Sequence, residues 1–358
     1  MSLSVTSNAS SRSAARGLVP LCAAVGAYLF YLSAGEILLR DSDTEWQIKV
    51  GQWILEHGAL PTSDVFSFTR FGEPWISSSW LSQVAYALVY GGDWAGAVIL
   101  TSIAIGATVA IFLHLLSPYF DPARAFLIAA LALVLSTIHF FARPHVLALP
   151  VLLAFIGGLM ASADRRTYPS WWLLPLMTLW ANLHGGFMLG LLLIGFFGAV
   201  SVLKRDWAGL RIYSFAVAGC LVAVLINPLG WHIYDGVATT LGHFAQAHIT
   251  EWWSYADNFT MPGSIPGIVY IAIFVAFELR HPTASSVPLE SRLLAWLFLL
   301  LGFCQYRYMS FFFMFAAVPL ALHLDRLLPK QLNELKVQTS LLVAGIVGMC
   351  ALPLTLIH

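Results

Sequence analysis

The chain has 358 residues, of which 59% are apolar or aromatic and 10% are charged, and its mean hydropathy is +0.79. Soluble domains carry about 25% charged and 45–50% apolar residues, so this composition excludes a soluble globular enzyme, a disordered protein and a nucleic-acid binder. Eighteen basic and eighteen acidic residues give a formal charge of zero, and no charged tail dominates. The sequence predicts an all-α, polytopic transmembrane helix bundle.

Glycine, proline and charged residues divide the chain into eleven predicted helices, several of them shorter than the roughly 20 residues of a typical span. They cover residues 18–39, 93–117, 123–141, 145–163, 170–182, 186–203, 210–227, 264–279, 290–304, 307–325 and 338–357. Residues 1–17 are expected to form a solvated cytoplasmic tail, and residues 18–358 a single transmembrane domain. The four cysteines lie far apart and make no metal-binding or disulfide pattern.

The distribution of charge gives the predicted orientation of these helices. With the N-terminus inside, thirteen of the eighteen basic residues fall on the inner side, as the positive-inside rule requires. Ten of the eighteen acidic residues and the longer polar motifs fall on the outer side. We therefore expect eleven spans, a cytoplasmic N-terminus, an outer C-terminus and any chemistry on the outer face.

The first outer loop, about residues 40–92, carries two predicted amphipathic helices. Apolar positions recur at helical spacing over residues 44–57, and Ser42 followed by Glu45 is typical of a capping box. We expect this helix to lie in the membrane interface with its tryptophans toward lipid. The second helix is expected to begin near Ser78 or Ser79.

A second long outer loop, about residues 228–264, combines tryptophan and tyrosine with acids and histidines, including Glu251 and Trp252. Aromatic belts at membrane interfaces explain such tryptophans without any function. Stacking rings beside hydrogen-bonding side chains are also typical of a carbohydrate-binding face. Both interpretations are open at this point.

Three acids, Asp41, Asp43 and Glu45, follow the first predicted span immediately. Acids at a helix N-terminus favour the helix dipole and cap free amides. Three acids within five residues exceed that need, and carboxylates at a membrane surface can act as a general base or bind a metal ion. We take these three as the candidate catalytic residues, with Asp43 foremost.

Basic and polar side chains mark the candidate phosphate-binding or substrate-binding residues on the same outer side. Arginine at a tight helix junction can snorkel to the interface, but it also binds phosphate oxygens well. A histidine and an asparagine that precede two glycines are compatible with a plain hairpin or with a broken span that lines a cavity. The predicted set is Arg143, His145, Asn182, His184, Arg307, Glu251 and Trp252.

The strings in the first outer loop are distinctive in their order and spacing. They read DSDTEW at 41–46, GQWILEHG at 51–58, PTSDVFSFT at 61–69, GEPW at 72–75 and WLSQ at 80–83. RPH at 143–145, NLHGG at 182–186, NPLG at 227–230 and EW at 251–252 follow. With these motifs, which cover most of residues 40–310, the chain resembles the C-type (GT-C) membrane glycosyltransferases and, more closely, a group of bacterial polytopic proteins near that superfamily. It departs from the group at Gln47, often a histidine, and at Tyr308, commonly another polar residue.

The resemblance implies an enzyme of the cell inner membrane that acts on the periplasmic side. This enzyme would move a sugar from a polyprenyl-phosphate donor to an acceptor, and the resemblance does not identify that acceptor. It implies that Asp43 deprotonates or orients the acceptor, and that later arginines and histidines neutralise the departing lipid phosphate. The expected partners of the enzyme are the lipid-linked sugar and the bilayer, and no nucleic acid is expected. The chain is shorter than many members of the superfamily, which is compatible with a minimal enzyme or with one that needs a membrane-protein partner. No tightly held cofactor is expected, although a divalent metal ion is an alternative.

Two other functions compete with glycosyl transfer. A lipid or small-molecule transporter or flippase would favour inverted repeats and charges at the bilayer midplane, whereas this sequence has no evident repeat and its ionisable residues cluster at one surface. A non-catalytic subunit of an envelope-polysaccharide complex is the second alternative.

Overall fold

The computed structural model describes residues 3–137, 140–165, 167, 169–240, 249–258, 264–281 and 287–327. The regular structure within these ranges is helical, apart from one isolated bridge between Ser63 and Pro74. The prediction of an all-α protein is therefore confirmed.

Fourteen α-helices occur in the described ranges, and short 3₁₀ turns lie at Gly230–His232, Thr250–Trp252 and Tyr306–Tyr308. The helices are α1 Leu3–Ser33, α2 Gly35–Leu38, α3 Asp43–His57, α4 Trp80–Tyr90, α5 Trp94–Leu116, α6 Pro122–Ser136, α7 Pro144–Arg165, α8 Leu173–Leu183, α9 Phe187–Leu203, α10 Trp207–Val224, α11 Ile233–Thr240, α12 Ser264–Arg280, α13 Leu289–Cys304 and α14 Met309–Leu327.

The prediction for the N-terminal residues was a solvated tail, and that for the C-terminal residues was a membrane span. The backbone of residues 3–17, expected as a solvated tail, is helical and continuous with the first predicted span. The alanines of this segment are the best helix formers, so the helix extends well beyond the apolar stretch. The predicted helix at 338–357 lies outside the described residues.

Four described segments are long and apolar enough to cross a membrane: Trp94–Leu116, Pro144–Arg165, Trp207–Val224 and Tyr306–Leu324. Shorter apolar helices cover Leu18–Ser33, Pro122–Ser136, Leu173–Leu183 and Phe187–Leu203. These lengths and compositions are those of a helical membrane protein.

The chain divides into two compact units, each built from separate stretches of sequence. The central unit contains residues 28–108 and 141–242, and the terminal unit contains residues 1–27, 109–140 and 243–358. In the central unit α3 packs against α4, while α7, α8, α9 and α10 pack against one another. In the terminal unit α14 packs against α6, α12 and α13.

The close approach of α3 to α4 depends on a glycine. A Cβ atom at Gly51 would lie 1.9 Å from the carbonyl oxygen of Gln83, so a larger residue would force the two helices apart. The apolar face of α3, which includes Ile48, Val50 and Ile54, is buried. This side of the helix is thus buried within the protein, whereas Trp46, predicted to face lipid, is 40% exposed.

A buried ion network joins three helices of the terminal unit. The Glu278 carboxylate on α12 receives Arg292 Nη2 of α13 at 2.9 Å and contacts His323 Nε2 of α14 at 2.9 Å. Trp296 Nε1 donates to the same carboxylate at 3.3 Å. Arg292 is one of the thirteen basic residues predicted on the inner side, and its side chain is largely buried in this network.

Candidate functional site

Arg143 joins two of the predicted catalytic acids. Its Nη2 lies 2.5 Å from Asp41 Oδ2 and 2.8 Å from Asp43 Oδ2, so one nitrogen pairs with both carboxylates. The Asp41 side chain is 13% exposed, whereas that of Asp43 is 54% exposed. Asp41 is therefore enclosed with the arginine, and Asp43 is accessible to a molecule that approaches from outside.

Hydrogen bonds to the main chain explain why Asp41 and Arg143, which are 102 positions apart in sequence, form an ion pair. The Ala142 N–H donates to the Leu38 carbonyl at 2.9 Å, which fixes the end of α2 beside the segment that leads into α7. The buried Tyr86 hydroxyl donates to the Arg143 carbonyl at 3.3 Å and pairs with the Thr101 hydroxyl at 3.0 Å. Two separate elements thus hold Arg143 opposite the acids.

The start of α3 is capped by an acid rather than by the predicted serine. Ser42 makes no side-chain capping hydrogen bond, so the predicted capping box of Ser42 and Glu45 is wrong. Instead the Asp43 N–H donates to Asp41 Oδ1 at 2.9 Å. Asp41 outcompetes the serine because a carboxylate can cap the helix and pair with Arg143 at the same time.

The predicted histidines His145 and His184 lie together in the central unit. Their ring centroids are 6.2 Å apart, in an edge-to-face arrangement. The Gly186 N–H donates to His184 Nδ1 at 2.9 Å. Since Nδ1 accepts this bond, the ring proton of neutral His184 is on Nε2, which makes that atom the hydrogen-bond donor.

This histidine pair also lies at two helix N-termini. His145 is in the first turn of α7, and His184 precedes the start of α9 by three residues. A Cβ atom at Gly186 would come within 2.8 Å of His184 Nδ1, so the glycine permits the ring to sit against the backbone. Helix N-termini favour negative charge. The N-termini of α7 and α9 therefore both favour the binding of an anion near the two histidines.

Asn182 of α8 links its helix to α4 and to the segment that follows α10. Its Nδ2 donates to the carbonyls of Thr178 at 2.7 Å and Ile226 at 3.0 Å, and its Oδ1 accepts from Trp80 Nε1 at 2.8 Å. Both amide N–H groups are thus used within the protein. The remaining lone pair of Oδ1 is what Asn182 can offer a ligand.

Glu45 faces a different feature from the other two acids. It borders an open groove of about 620 Å³ between the exposed side of α3 and residues 65–66. Trp46, Lys49, Trp53 and Glu56 line the same groove. Asp41 and Asp43 therefore share Arg143, while Glu45 belongs to the groove.

The remaining predicted residues, Arg307, Glu251 and Trp252, belong to the terminal unit. The Arg307 guanidinium carbon lies 4.6 Å from the centre of the Trp252 ring and 5.7 Å from that of Tyr308, which are cation–π distances. Glu251 is half-buried beside Trp252 in the same 3₁₀ turn. The motifs that contain Glu251, Trp252 and Arg307 therefore lie in contact with each other.

Backbone hydrogen bonds hold these two motifs together. The Tyr306 N–H donates to the Trp253 carbonyl at 2.8 Å, and the Tyr255 N–H donates to the Phe303 carbonyl at 3.3 Å. The rings of Tyr255 and Tyr306 stack with their centroids 5.7 Å apart. Burial raises the pKa of Tyr255 to about 12, and its neighbour Tyr306 adds to this rise.

Within the described ranges, no three His, Cys, Asp or Glu side chains are grouped so that they could hold a metal ion. The Arg143 guanidinium lies between the carboxylates of Asp41 and Asp43, where a metal cation would otherwise bind. This arrangement places a fixed organic cation at the acids.

The sequence analysis missed several residues that build the site. Tyr86 supports Arg143, and Trp80 supports Asn182. Tyr86 showed no pattern beyond ordinary helical spacing, and the WLSQ string at 80–83, which contains Trp80 and Gln83, did not indicate these contacts. Gln83 Nε2 donates to Gln47 Oε1 at 2.8 Å, and Ser77 donates to Gln83 Oε1. Two polar residues on the inward faces of α3 and α4 were a signal that these helices pair with each other.

No protein-family model matches this chain, and no curated protein matches it. Function is therefore inferred from the residues and their geometry.

Proposed function

We propose that the protein is a polytopic inner-membrane glycosyltransferase that moves a sugar from a polyprenyl-phosphate donor to an acceptor on the periplasmic side. The observation that carries this proposal is the placement, in one compact unit, of an accessible carboxylate held by arginine and a histidine pair at two helix N-termini. A base and an anion-binding group are the two requirements for displacing a sugar from a phosphate. The predicted eleven-span topology with a cytoplasmic N-terminus supplies the orientation.

In the proposed reaction the acceptor hydroxyl oxygen attacks the anomeric carbon of the donor sugar. Its proton passes to the Asp43 carboxylate as the new C–O bond forms. The bond between the anomeric carbon and the phosphate oxygen breaks, and its electron pair leaves with polyprenyl phosphate. One in-line displacement inverts the configuration at the anomeric carbon.

Each group near the acids has a separate task in this scheme. Arg143 and Asp41 act as positioning residues, because the enclosed ion pair fixes the guanidinium that holds Asp43. His184 donates from Nε2 to the leaving phosphate, and His145 and the helix N-termini add to its neutralisation. This division replaces the expectation that Arg143 itself serves mainly as a phosphate ligand, since its Nη2 pairs with the carboxylates of Asp41 and Asp43.

The roles of Arg307, Trp252 and Glu251 are proposed separately for the terminal unit. An arginine stacked on tryptophan presents its edge N–H groups to an anion or to sugar hydroxyls. We assign this cluster to binding of the substrate, with no part in proton transfer.

The test is turnover of a polyprenyl-phosphate-linked hexose, labelled on the sugar, by the full chain in lipid nanodiscs. The wild type should release polyprenyl phosphate, and Asp43→Asn should lower the rate by about 10² to 10⁴, the usual contribution of a general base. Asp93→Asn is the matched control because Asp93 is an exposed acid that accepts a backbone N–H near a helix start, as Asp41 does at α3. It should keep the wild-type rate.

Two results would contradict the proposal. Passage of intact labelled donor across proteoliposomes without bond cleavage would indicate transport. Full activity of Asp43→Asn would remove Asp43 from the reaction.

A further inference from the structure

The exposed side of α3 carries a polar and aromatic groove that has been given no role so far. Its lining residues on the helix are Glu45, Trp46, Lys49, Gln52, Trp53 and Glu56, which recur at helical spacing along one stripe. The stripe from Ser42 to Glu56 extends over about 21 Å of helix at 1.5 Å per residue. Val65 and Phe66 form the opposite wall. The result is an elongated groove rather than a round pocket.

The opposite wall is a tightly held turn. Asp64 Oδ1 accepts the N–H groups of Phe66 and Ser67, both at 2.9 Å, and its Oδ2 accepts the Ser67 hydroxyl. Although desolvation raises the pKa of Asp64, these hydrogen bonds outweigh it and hold the pKa below its ordinary value. The groove wall is thus built by an ionised carboxylate, and Phe66 is fixed in position.

Aromatic contacts connect this wall to the helix. The Trp75 ring lies 5.5 Å from that of Trp46 and 5.7 Å from that of Phe66. On the helix, Trp53 stacks on His57 at 4.1 Å, which holds its indole in a single orientation. The groove therefore has aromatic surfaces on both sides that pack against neighbouring rings, and side chains held by such contacts lose less conformational entropy when a ligand binds.

The chemistry of the lining fits a saccharide. Indole faces provide flat apolar area for the C–H face of a sugar ring, while carboxylates, an amide and an ammonium group exchange hydrogen bonds with hydroxyls. Glu45 and Glu56 outnumber Lys49, so an anionic chain is disfavoured. The lining is incompatible with a purely apolar lipid contact, because its charged residues share the stripe with the tryptophans.

One end of the groove lies at the start of α3, although Asp43 itself pairs with Arg143 and does not line the groove. Ser42 and Glu45, which line one end, flank Asp43 in sequence at the start of α3. Since about half of the Asp43 side chain is exposed, a chain bound along the groove has to extend past Ser42 and Glu45 to bring a terminal hydroxyl to this carboxylate. We propose that this groove binds the acceptor, and that the acceptor is a neutral oligosaccharide; this inference rests on the glycosyl transfer proposed above.

The first experiment measures binding, which does not depend on turnover. The full chain in nanodiscs is titrated with cellotetraose, maltotetraose, mannotetraose and chitotetraose in turn, and with tetragalacturonate as an anionic comparison. At least one neutral tetrasaccharide should bind, and more tightly than tetragalacturonate. Trp53→Ala should weaken that binding about tenfold or more, as loss of an aromatic anchor does. Trp53→Phe, which keeps a ring, should lose less.

Trp172→Ala is the matched control, because Trp172 is an exposed tryptophan of the same unit that stacks on a neighbouring ring, that of Trp171, at 4.3 Å. It should bind the tetrasaccharide as the wild type does. Absence of binding by all four neutral probes, or equal affinity in Trp53→Ala and wild type, would overturn the proposal. Quenching of Trp53 fluorescence by brominated lipid, measured as the difference between wild type and Trp53→Phe, would overturn it in favour of a membrane contact.

The two proposals fail in different ways. Tetrasaccharide binding that depends on Trp53, without any donor turnover, would refute glycosyl transfer and leave a saccharide-binding groove. Donor turnover with an acceptor KM that is unchanged in Trp53→Ala would refute the groove and leave the transferase. The combined account expects a raised acceptor KM in Trp53→Ala with an unchanged kcat.

Discussion

The two acids that share Arg143 should respond very differently to the same substitution. Asp41 and Asp43 both pair with Arg143 Nη2, yet their side chains are 13% and 54% exposed. Removing one partner of a buried ion pair costs about 3–5 kcal/mol because a charge is left without compensation. Exposed pairs contribute about 0–1 kcal/mol. The difference in exposure therefore decides which acid contributes more to the free energy of unfolding.

Asp41→Asn removes the enclosed partner and the carboxylate that caps α3. Because Asp43 still pairs with the arginine, we expect a loss of about 2–3 kcal/mol in the free energy of unfolding, which is below the range for an isolated buried pair. Asp43→Asn keeps the enclosed pair and should cost less than about 1 kcal/mol. Its effect should fall on turnover instead, through loss of the base.

The assay is reversible denaturant unfolding of both variants and the wild type in the same detergent, with donor turnover measured on the same samples. A double-mutant cycle with Arg143→Ala then isolates each pairwise energy. The reasoning is refuted if Asp43→Asn destabilises the protein as much as Asp41→Asn. It is equally refuted if the coupling energy of Arg143 with Asp43 exceeds that with Asp41.

Three further predictions concern other parts of the molecule. Gly51→Ala should abolish folded expression because its Cβ would lie 1.9 Å from the Gln83 carbonyl oxygen, whereas Gly195→Ala, with open space around it, should express normally; equal expression levels would contradict the close helix crossing. Glu278→Ala should lower the free energy of unfolding by about 3–5 kcal/mol, because it leaves a buried arginine without its carboxylate; a loss below 1 kcal/mol in denaturant unfolding would disprove the buried network. The turn around Asp64 should resist proteolysis fully above the ordinary carboxyl pKa of 3.8 and lose protection as the pH falls through the lower folded pKa; Asp64→Asn should remove this acid dependence, and an unchanged profile would contradict it.

Helical architecture was predictable because hydropathy and helix-breaking residues are local properties of the sequence. The predicted helix at 93–117 is observed at Trp94–Leu116, and that at 186–203 at Phe187–Leu203. The extension of α1 to Leu3 was not predicted, because the sequence analysis used apolarity as the criterion for a helix. Alanine and serine form helix backbone without contributing an apolar span.

The candidate site was predictable as a set of residue types, but its pairings were not. Asp43 and Arg143 were both identified from their positions at the ends of spans, and nothing in the spacing indicated that they would share an ion pair. That pairing depends on the Ala142 hydrogen bond to Leu38, a tertiary contact between backbone groups that no side-chain pattern encodes.

The buried network of the terminal unit was missed for a related reason. Arg292 lies in the predicted helix 290–304 and was placed on the inner side by the positive-inside rule, which counts charges and does not pair them. Glu278 in the preceding helix and His323 in an apolar stretch were the available signal, since ionisable residues in such helices require partners.

The most direct test of the central claim is an experimental structure of the full chain with undecaprenyl phosphate bound in a nanodisc. The account predicts the phosphate within hydrogen-bond distance of His184 Nε2 and beside His145, with the Asp43 carboxylate facing the side on which the sugar would be attacked. A phosphate bound without contact to either histidine, or lipid confined to the surface of other helices, would contradict it.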